Sequence, residues 1–104
     1  MYNYVIRKHN TDDYYSFHNK VTRNYTFVEE LDATVITTEE ELHYLLTTDP
    51  EYSSPIDDYD RIEIILDNTI IGNIPVLYMR EHFNSLPEET RCEYNIKFLT
   101  TQIQ

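Results

Sequence analysis

Three groupings in this 104-residue sequence hold side chains of the types that do chemistry. Glu39 and Glu40 stand four and three residues before His43, so on a helix either carboxylate shares a face with the imidazole and the two could ligate one metal ion. Carboxylate-bridged metal sites built from Glu-x-x-His need two copies of it and further glutamates. No second copy exists here: His82 has Glu81 directly beside it, and adjacent helical residues do not face each other. The pair reads as a cap glutamate and a surface histidine, and no metal is expected. Cys92 with His9, His18, His43 or His82 offers a thiolate–imidazole pair for nucleophilic catalysis. Cys92 falls, however, on the apolar side of an alternating run, where cysteine packs as a small inert hydrophobe. Asp57, Asp58 and Asp60 look like the oxygen-rich start of a calcium loop, without the spacing or the glycine of an EF-hand. Gly72 is the only glycine, so neither a Walker loop nor a dinucleotide fingerprint can form, and no G-x-S-x-G elbow is present. No catalytic activity and no cofactor is expected.

What remains is charge. Between Glu29 and Asp67 there are thirteen acids and one base, Arg61, so this region carries essentially all of the net charge of −11. Glu29, Glu30, Asp32, Glu39, Glu40, Glu41, Asp57, Asp58 and Asp60 stand in it with tyrosines interleaved, among them Tyr59. Duplex DNA carries one negative charge per about 1.7 Å of its axis. A carboxylate array of similar density fits a basic groove, and tyrosines supply the buried anchors that interfaces need. The same sign of charge argues against phosphate backbones and anionic lipid as partners.

The elements that must position these residues follow from periodicity. Tyr2 to Lys8 alternates as a half-buried strand, Asn10 to Asp13 turns, and Tyr14 to Asn19 returns. Pairing His9 with Tyr14 sets Ile6 opposite Phe17 and puts Tyr4, Ile6, Tyr15 and Phe17 on one face. A helical reading of Tyr14 to Tyr25 is opposed by the poor helix formers between its apolar positions. Tyr25 to Val28 extends that strand or forms another, and the β-branched run Ala33 to Thr37 predicts a buried one. Thr38 and Glu41 make a capping box for a helix through Leu42, Leu45 and Leu46, stopped by Asp49-Pro50. Asp49 to Asp60 is a surface loop, Arg61 to Leu66 a central strand, and Asp67-Asn68 a turn into Ile70 and Ile71. Asn73 is a candidate cap, with Pro75 in the first turn, for a helix carrying Val76, Met79, Phe83 and Leu86. Ser85 to Glu88 permits a further short turn. Cys92, Tyr94, Ile96 and Phe98 alternate as a closing strand.

This order predicts one α+β domain over residues 1–104, with a mainly antiparallel sheet of about five strands and two helices on one face. A single cysteine excludes an intrachain disulfide, and no apolar run reaches the length of a transmembrane helix, so an intracellular, cytoplasmic protein is expected. The succession YVIRKHN, TDDYYSFHN, ATVITTEEELHYLL and RIEIIL resembles the layout of small accessory proteins of tailed phages over about two-thirds of the chain. That resemblance implies a protein of the infected bacterial cytoplasm and transfers no functional residue.

The expected function is a small acidic binding protein. It docks Asp57, Asp58, Tyr59 and Asp60, supported by Glu29, Glu30, Asp32 and Glu39 to Glu41, on a basic protein surface. A host nucleic-acid-binding protein, inhibited by competition with its substrate, is the expected partner. The alternative is an assembly protein that oligomerises through a sheet edge or helix face, with a small metal-dependent hydrolase third.

Overall fold

The structure is a computed structural model that describes residues 2–47 and 54–103. The expected helix stop at Asp49-Pro50 and the first part of the Asp49–Asp60 loop lie outside the described residues. Strands β1 (Asn3–Arg7), β2 (Tyr14–Asn19) and β3 (Asn24–Val28) come first, then a 3-10 turn over Glu30–Asp32 and helix α1 (Glu39–Leu46). Strands β4 (Arg61–Leu66) and β5 (Thr69–Pro75) follow, and helices α2 (Val76–Ser85) and α3 (Glu88–Ile103) close the chain. The sheet is five-stranded and antiparallel at every pairing, in the order β3-β2-β1-β4-β5. The α+β expectation holds, with three α-helices among the described residues in place of two.

Alternation in the strands sorts side chains onto two faces. On one face Ile6, Tyr15, Phe17 and Ile62 meet Leu42, Leu45 and Leu46 of α1 and Val76 and Phe83 of α2 in the main core. Helix α3 lies against α1, where Phe98 stacks on Tyr44 at 4.5 Å and Asn95 Oδ1 lies 3.0 Å from His43 Nδ1. The opposite face holds a smaller cluster of Val5, Tyr14 and Ala33, with Val28 and Ile65 packed against it. Beside that cluster Glu63 is buried, accepting a hydrogen bond from the Tyr14 hydroxyl and lying 3.4 Å from Arg7 Nε.

Four expectations change. The hairpin forms, but Arg7 rather than His9 pairs with Tyr14. A slip of two residues keeps every side chain on its face, so Tyr4, Ile6, Tyr15 and Phe17 still belong to one core. The strand expected over Ala33 to Thr37 shrinks to one bridge, because β1 and β2 splay and this segment fills the gap. Tyr4 and Ile36 exchange backbone hydrogen bonds of 2.8 and 2.7 Å, Thr34 N–H donates to Tyr15 O, and Phe17 N–H donates to Thr34 Oγ1.

Asn73 is a β5 residue and not a cap. The first free N–H groups of α2 are met by backbone instead, Val76 N–H donating to Asp60 O at 2.8 Å and Leu77 N–H to Asp58 O at 2.9 Å.

The closing strand is helix α3. Arg91, Tyr94, Asn95 and Phe98, spaced i, i+3, i+4 and i+7, are buried or half-buried, while Cys92, Glu93, Ile96 and Lys97 are exposed. Glu93 and Lys97 pair at 3.1 Å across one helical turn.

The α1 start forms as expected: Glu41 N–H donates to Thr38 Oγ1 at 3.1 Å, while the Glu41 carboxylate turns to Lys20 Nζ at 2.5 Å. Thr38→Ala is expected to cost about 1 kcal/mol, read as a lower urea midpoint with an unchanged slope.

His43 gives a pH dependence. It is enclosed by the rings of Phe83 at 5.0 Å and Tyr94 at 5.8 Å, and burial pushes its pKa below the usual histidine value. The folded chain thus keeps His43 neutral over a range where the unfolded chain takes up a proton. Its contribution to stability is present above the unfolded histidine pKa and is lost as pH falls towards the folded one. Urea midpoints are expected to drop between pH 7.5 and pH 5, and His43→Gln to flatten that drop.

Candidate partner-binding surface

Because all strand pairings are antiparallel, the end of β1, the start of β2, the end of β3 and the start of β4 lie at one end of the sheet. Tyr14 pairs with Val28, so Asp13 and Glu29 leave the ladder side by side, and Asp12 and Glu30 follow. Arg7 pairs with Arg61, which brings Lys8, His9 and Asn10 next to Asp57–Asp60. Across this rim run first Glu29, Glu30 and Asp32, then Asp12 and Asp13, then Lys8 and His9, and finally Asp57, Asp58 and Tyr59. At a strand spacing of about 4.8 Å, the span from β3 to β4 is roughly 14 Å. Residues 7–13, 29–32 and 57–61 place eight carboxylates here against three bases.

The acids of the rim differ in state. Asp60 is 0% exposed, and its carboxylate organises the turn that starts β4. Tyr15 Oη donates to Asp60 Oδ2 at 2.7 Å, Asp57 N–H to the same oxygen at 3.0 Å, and His9 N–H to Oδ1 at 3.0 Å. Lys8 Nζ lies 3.5 Å from Asp60 Oδ1 and 2.5 Å from Asp57 Oδ2. Its hydrogen bond holds the Asp57 carboxyl below the usual carboxylate range, and Asp57 in turn raises the Lys8 ammonium. Burial and then the Asp60 hydrogen bond push the Tyr15 phenol far up, so it stays a donor. Asp58 pairs with Arg80 Nη1 at 2.6 Å, and Arg80 also donates to Leu46 O and Ile56 O. Tyr59 is 72% exposed, edge-on to His9 at 6.2 Å.

Glu29, Glu30 and Asp32 are exposed around Leu31, which is 96% exposed. Asp12 and Asp13 are exposed as well, and among the described residues none of these five acids forms an ion pair.

The rim thus gathers six of the acids singled out in the sequence and corrects two expectations. Asp60 presents no carboxylate to a partner, because the backbone and side chains around it consume its oxygens. Glu39, Glu40 and Glu41 sit at the start of α1, away from the rim: Glu41 reaches Lys20 in the β2–β3 turn at the opposite end of the sheet. Glu41 is itself buried, and Glu39 lies 3.5 Å from His82 Nε2. Asp12 and Asp13 are the rim residues that sequence reasoning missed. They look like ordinary turn formers, and only the β2–β3 register places them beside Glu29.

Geometry also addresses the other chemistries. His9, Asp57 and Asp60 have ligand atoms within 4.8 Å of one another. The Lys8 ammonium lies against both carboxylates, so the place where a cation would be held is already taken by a cation of the chain. Cys92 is exposed rather than buried. It lines a cavity of about 240 Å³ with His43, Arg91 and Asn95, and no hydrogen bond joins its sulfur to His43 among the described residues. Among the described residues, no helix is long and apolar enough to cross a membrane. No protein-family model, no curated protein and no solved structure matches the chain significantly.

Proposed function

We propose that the chain is a binding protein that docks its acidic rim on a basic protein surface, and that its target is a protein whose basic groove handles nucleic acid. What carries this reading is the convergence of five exposed carboxylates, Asp12, Asp13, Glu29, Glu30 and Asp32, which form no ion pair among the described residues, at one end of the sheet around a protruding Leu31. Carboxylates without intramolecular partners keep their full attraction for a basic groove, whereas those held by Lys8 and Arg80 are partly neutralised. Leu31 gives such a patch an apolar centre with a charged border, the usual anatomy of an interface. The proposed mode is competition: the rim occupies the groove that would otherwise hold a phosphate backbone. The phage-like layout of the chain suits a target within a bacterial cell.

The test is capture from nuclease-treated bacterial lysate on immobilised protein, washed across a salt series. A basic nucleic-acid-binding protein that elutes as salt rises, and that loses its nucleic acid when the chain is added, is the expected result. Retention of partners that nucleic acid does not displace would overturn the competitive reading.

A further inference from the structure

The edge strand β3 is built unlike a protected edge. Natural sheets blunt exposed edges with lysine, proline, bulges or inward charges. The other edge, β5, has such devices: a bulge that leaves Ile71 unpaired, then Pro75 where the strand ends. Strand β3 reads Asn-Tyr-Thr-Phe-Val over Asn24–Val28, with no charge and no proline, in a chain of net charge −11. Its single register shift falls at its first residue. On the helical face of the sheet Tyr25 and Phe27 remain 39% and 44% exposed, although they pack on Tyr15 at 5.2 and 5.1 Å. The aromatic cluster of Tyr15, Phe17, Tyr25 and Phe27 therefore ends abruptly at a backbone edge that pairs with no further strand among the described residues.

We infer that this edge is an interface between two copies of the chain, joined by antiparallel pairing of β3 with β3 about Thr26 to make a continuous ten-stranded sheet. Symmetry about Thr26 pairs Tyr25 of one copy with Phe27 of the other and Asn24 with Val28. It thereby carries the aromatic cluster across the junction on one face, since residues related in this way point to the same side.

Charge selects the same orientation. The chain leads into β3 through Lys20 and Arg23 and leaves it through Glu29, Glu30 and Asp32. Lys20 is paired with Glu41 and Arg23 is buried against Tyr44, so the exposed acids at the far end of the strand weigh most in the orientation. Antiparallel pairing sets the exposed acids of each copy beside the start of the other copy's β3 and away from the other copy's acids. It also sends the two acidic rims to opposite ends of the joined sheet. Parallel pairing would put rim against rim and acid against acid. The inference is independent of the proposed target.

The test uses the residue on the symmetry axis. Thr26 is exposed and would face its own counterpart, so Thr26→Lys places two like charges directly opposite, and so does Thr26→Glu. Wild type is expected to show a concentration-dependent rise towards twice the chain mass of 12.6 kDa in light scattering. Each variant alone should be monomeric with an unchanged circular dichroism spectrum, and an equimolar mixture of the two should regain the dimer. A wild type that stays monomeric at millimolar concentration overturns the inference. So do single variants that still dimerise, or a mixture that does not recover. The salt-eluted capture described above is unaffected by these variants if the rim alone binds the target, so the two ideas fail separately.

Discussion

Replacing Asp60 with alanine is expected to destabilise the fold by about 3–5 kcal/mol, because its fully buried carboxylate accepts three hydrogen bonds that no other group can replace. Three donors converge on its carboxylate, from Tyr15, Asp57 and His9, with Lys8 at 3.5 Å. Removing it leaves the buried Tyr15 hydroxyl and the part-buried N–H groups of Asp57 and His9 without their acceptor, at about 1–3 kcal/mol for each one that stays out of water, while Lys8 keeps its pair with Asp57. The turn it organises also supplies the carbonyls that cap α2, so the damage reaches beyond β4. A domain with ordinary stability of about 5–15 kcal/mol would lose a large share of it. Urea unfolding followed by far-ultraviolet circular dichroism reads the effect directly. Asp60→Asn should fall between wild type and alanine, since an amide oxygen can accept but its nitrogen must face a donor. Asp57→Asn, at an exposed pair, should cost no more than about 1 kcal/mol. Equal midpoints for Asp57→Asn and Asp60→Ala would show that the buried carboxylate is not the keystone of this turn. One consequence is practical: a variant that reverses Asp57, Asp58 and Asp60 together would lose binding by unfolding, and would say nothing about the surface.

That Asp60 differs from Asp57 and Asp58 was not legible in the sequence. The run Ile56-Asp57-Asp58-Tyr59-Asp60 reads as a solvated acidic loop, and its local composition is the same whichever aspartate points inward. Apart from the Asp57 N–H, the groups that enclose the Asp60 carboxylate come from β2 and from the end of β1, more than forty residues away. What was legible was local. The alternation of β1 and β4, the Asp67-Asn68 turn with both residues at positive φ, and the Thr38 cap each depend on a few neighbouring residues. Helix α3 was misread for a physical reason as well. Cys92, Tyr94, Ile96 and Phe98 satisfy a period of two, while Arg91, Tyr94, Asn95 and Phe98 satisfy a helical period, and both patterns share Tyr94 and Phe98. The Glu93–Lys97 pair and the few β-branched residues before Thr100 were the signals favouring helix. The rim lay between these cases. Six of its acids stood out by composition, but their convergence depends on strand order, and Asp12 and Asp13 join only through the Tyr14–Val28 register.

The second large effect concerns that rim. Reversing Asp12, Asp13, Glu29 and Glu30 together to lysine is expected to weaken binding of the captured basic partner by on the order of a hundredfold, about 2.8 kcal/mol. These four acids are exposed and make no ion pairs among the described residues, so reversal breaks no intramolecular bridge and should leave the circular dichroism spectrum intact. The loss arises on both sides of the encounter. Attraction that speeds association becomes repulsion, and like charges meet where opposite charges did. The salt dependence is the sharper reading, because a contact made by fewer opposite charges responds less steeply to ionic strength. Reversal of Glu39 and Glu40 supplies the control. It changes net charge by half as much but at the start of α1, away from the rim, so a threefold change or less is expected at physiological salt, where screening acts within about 8 Å. If both variants lost affinity in proportion to the charge they reverse, the partner would be sensing the net charge of −11 and not a surface. A steep loss at the rim with a shallow one at α1 requires a site. The place proposed for one is the rim, where three neighbouring strands meet the same end of the sheet and two of them run into acids that form no ion pair among the described residues.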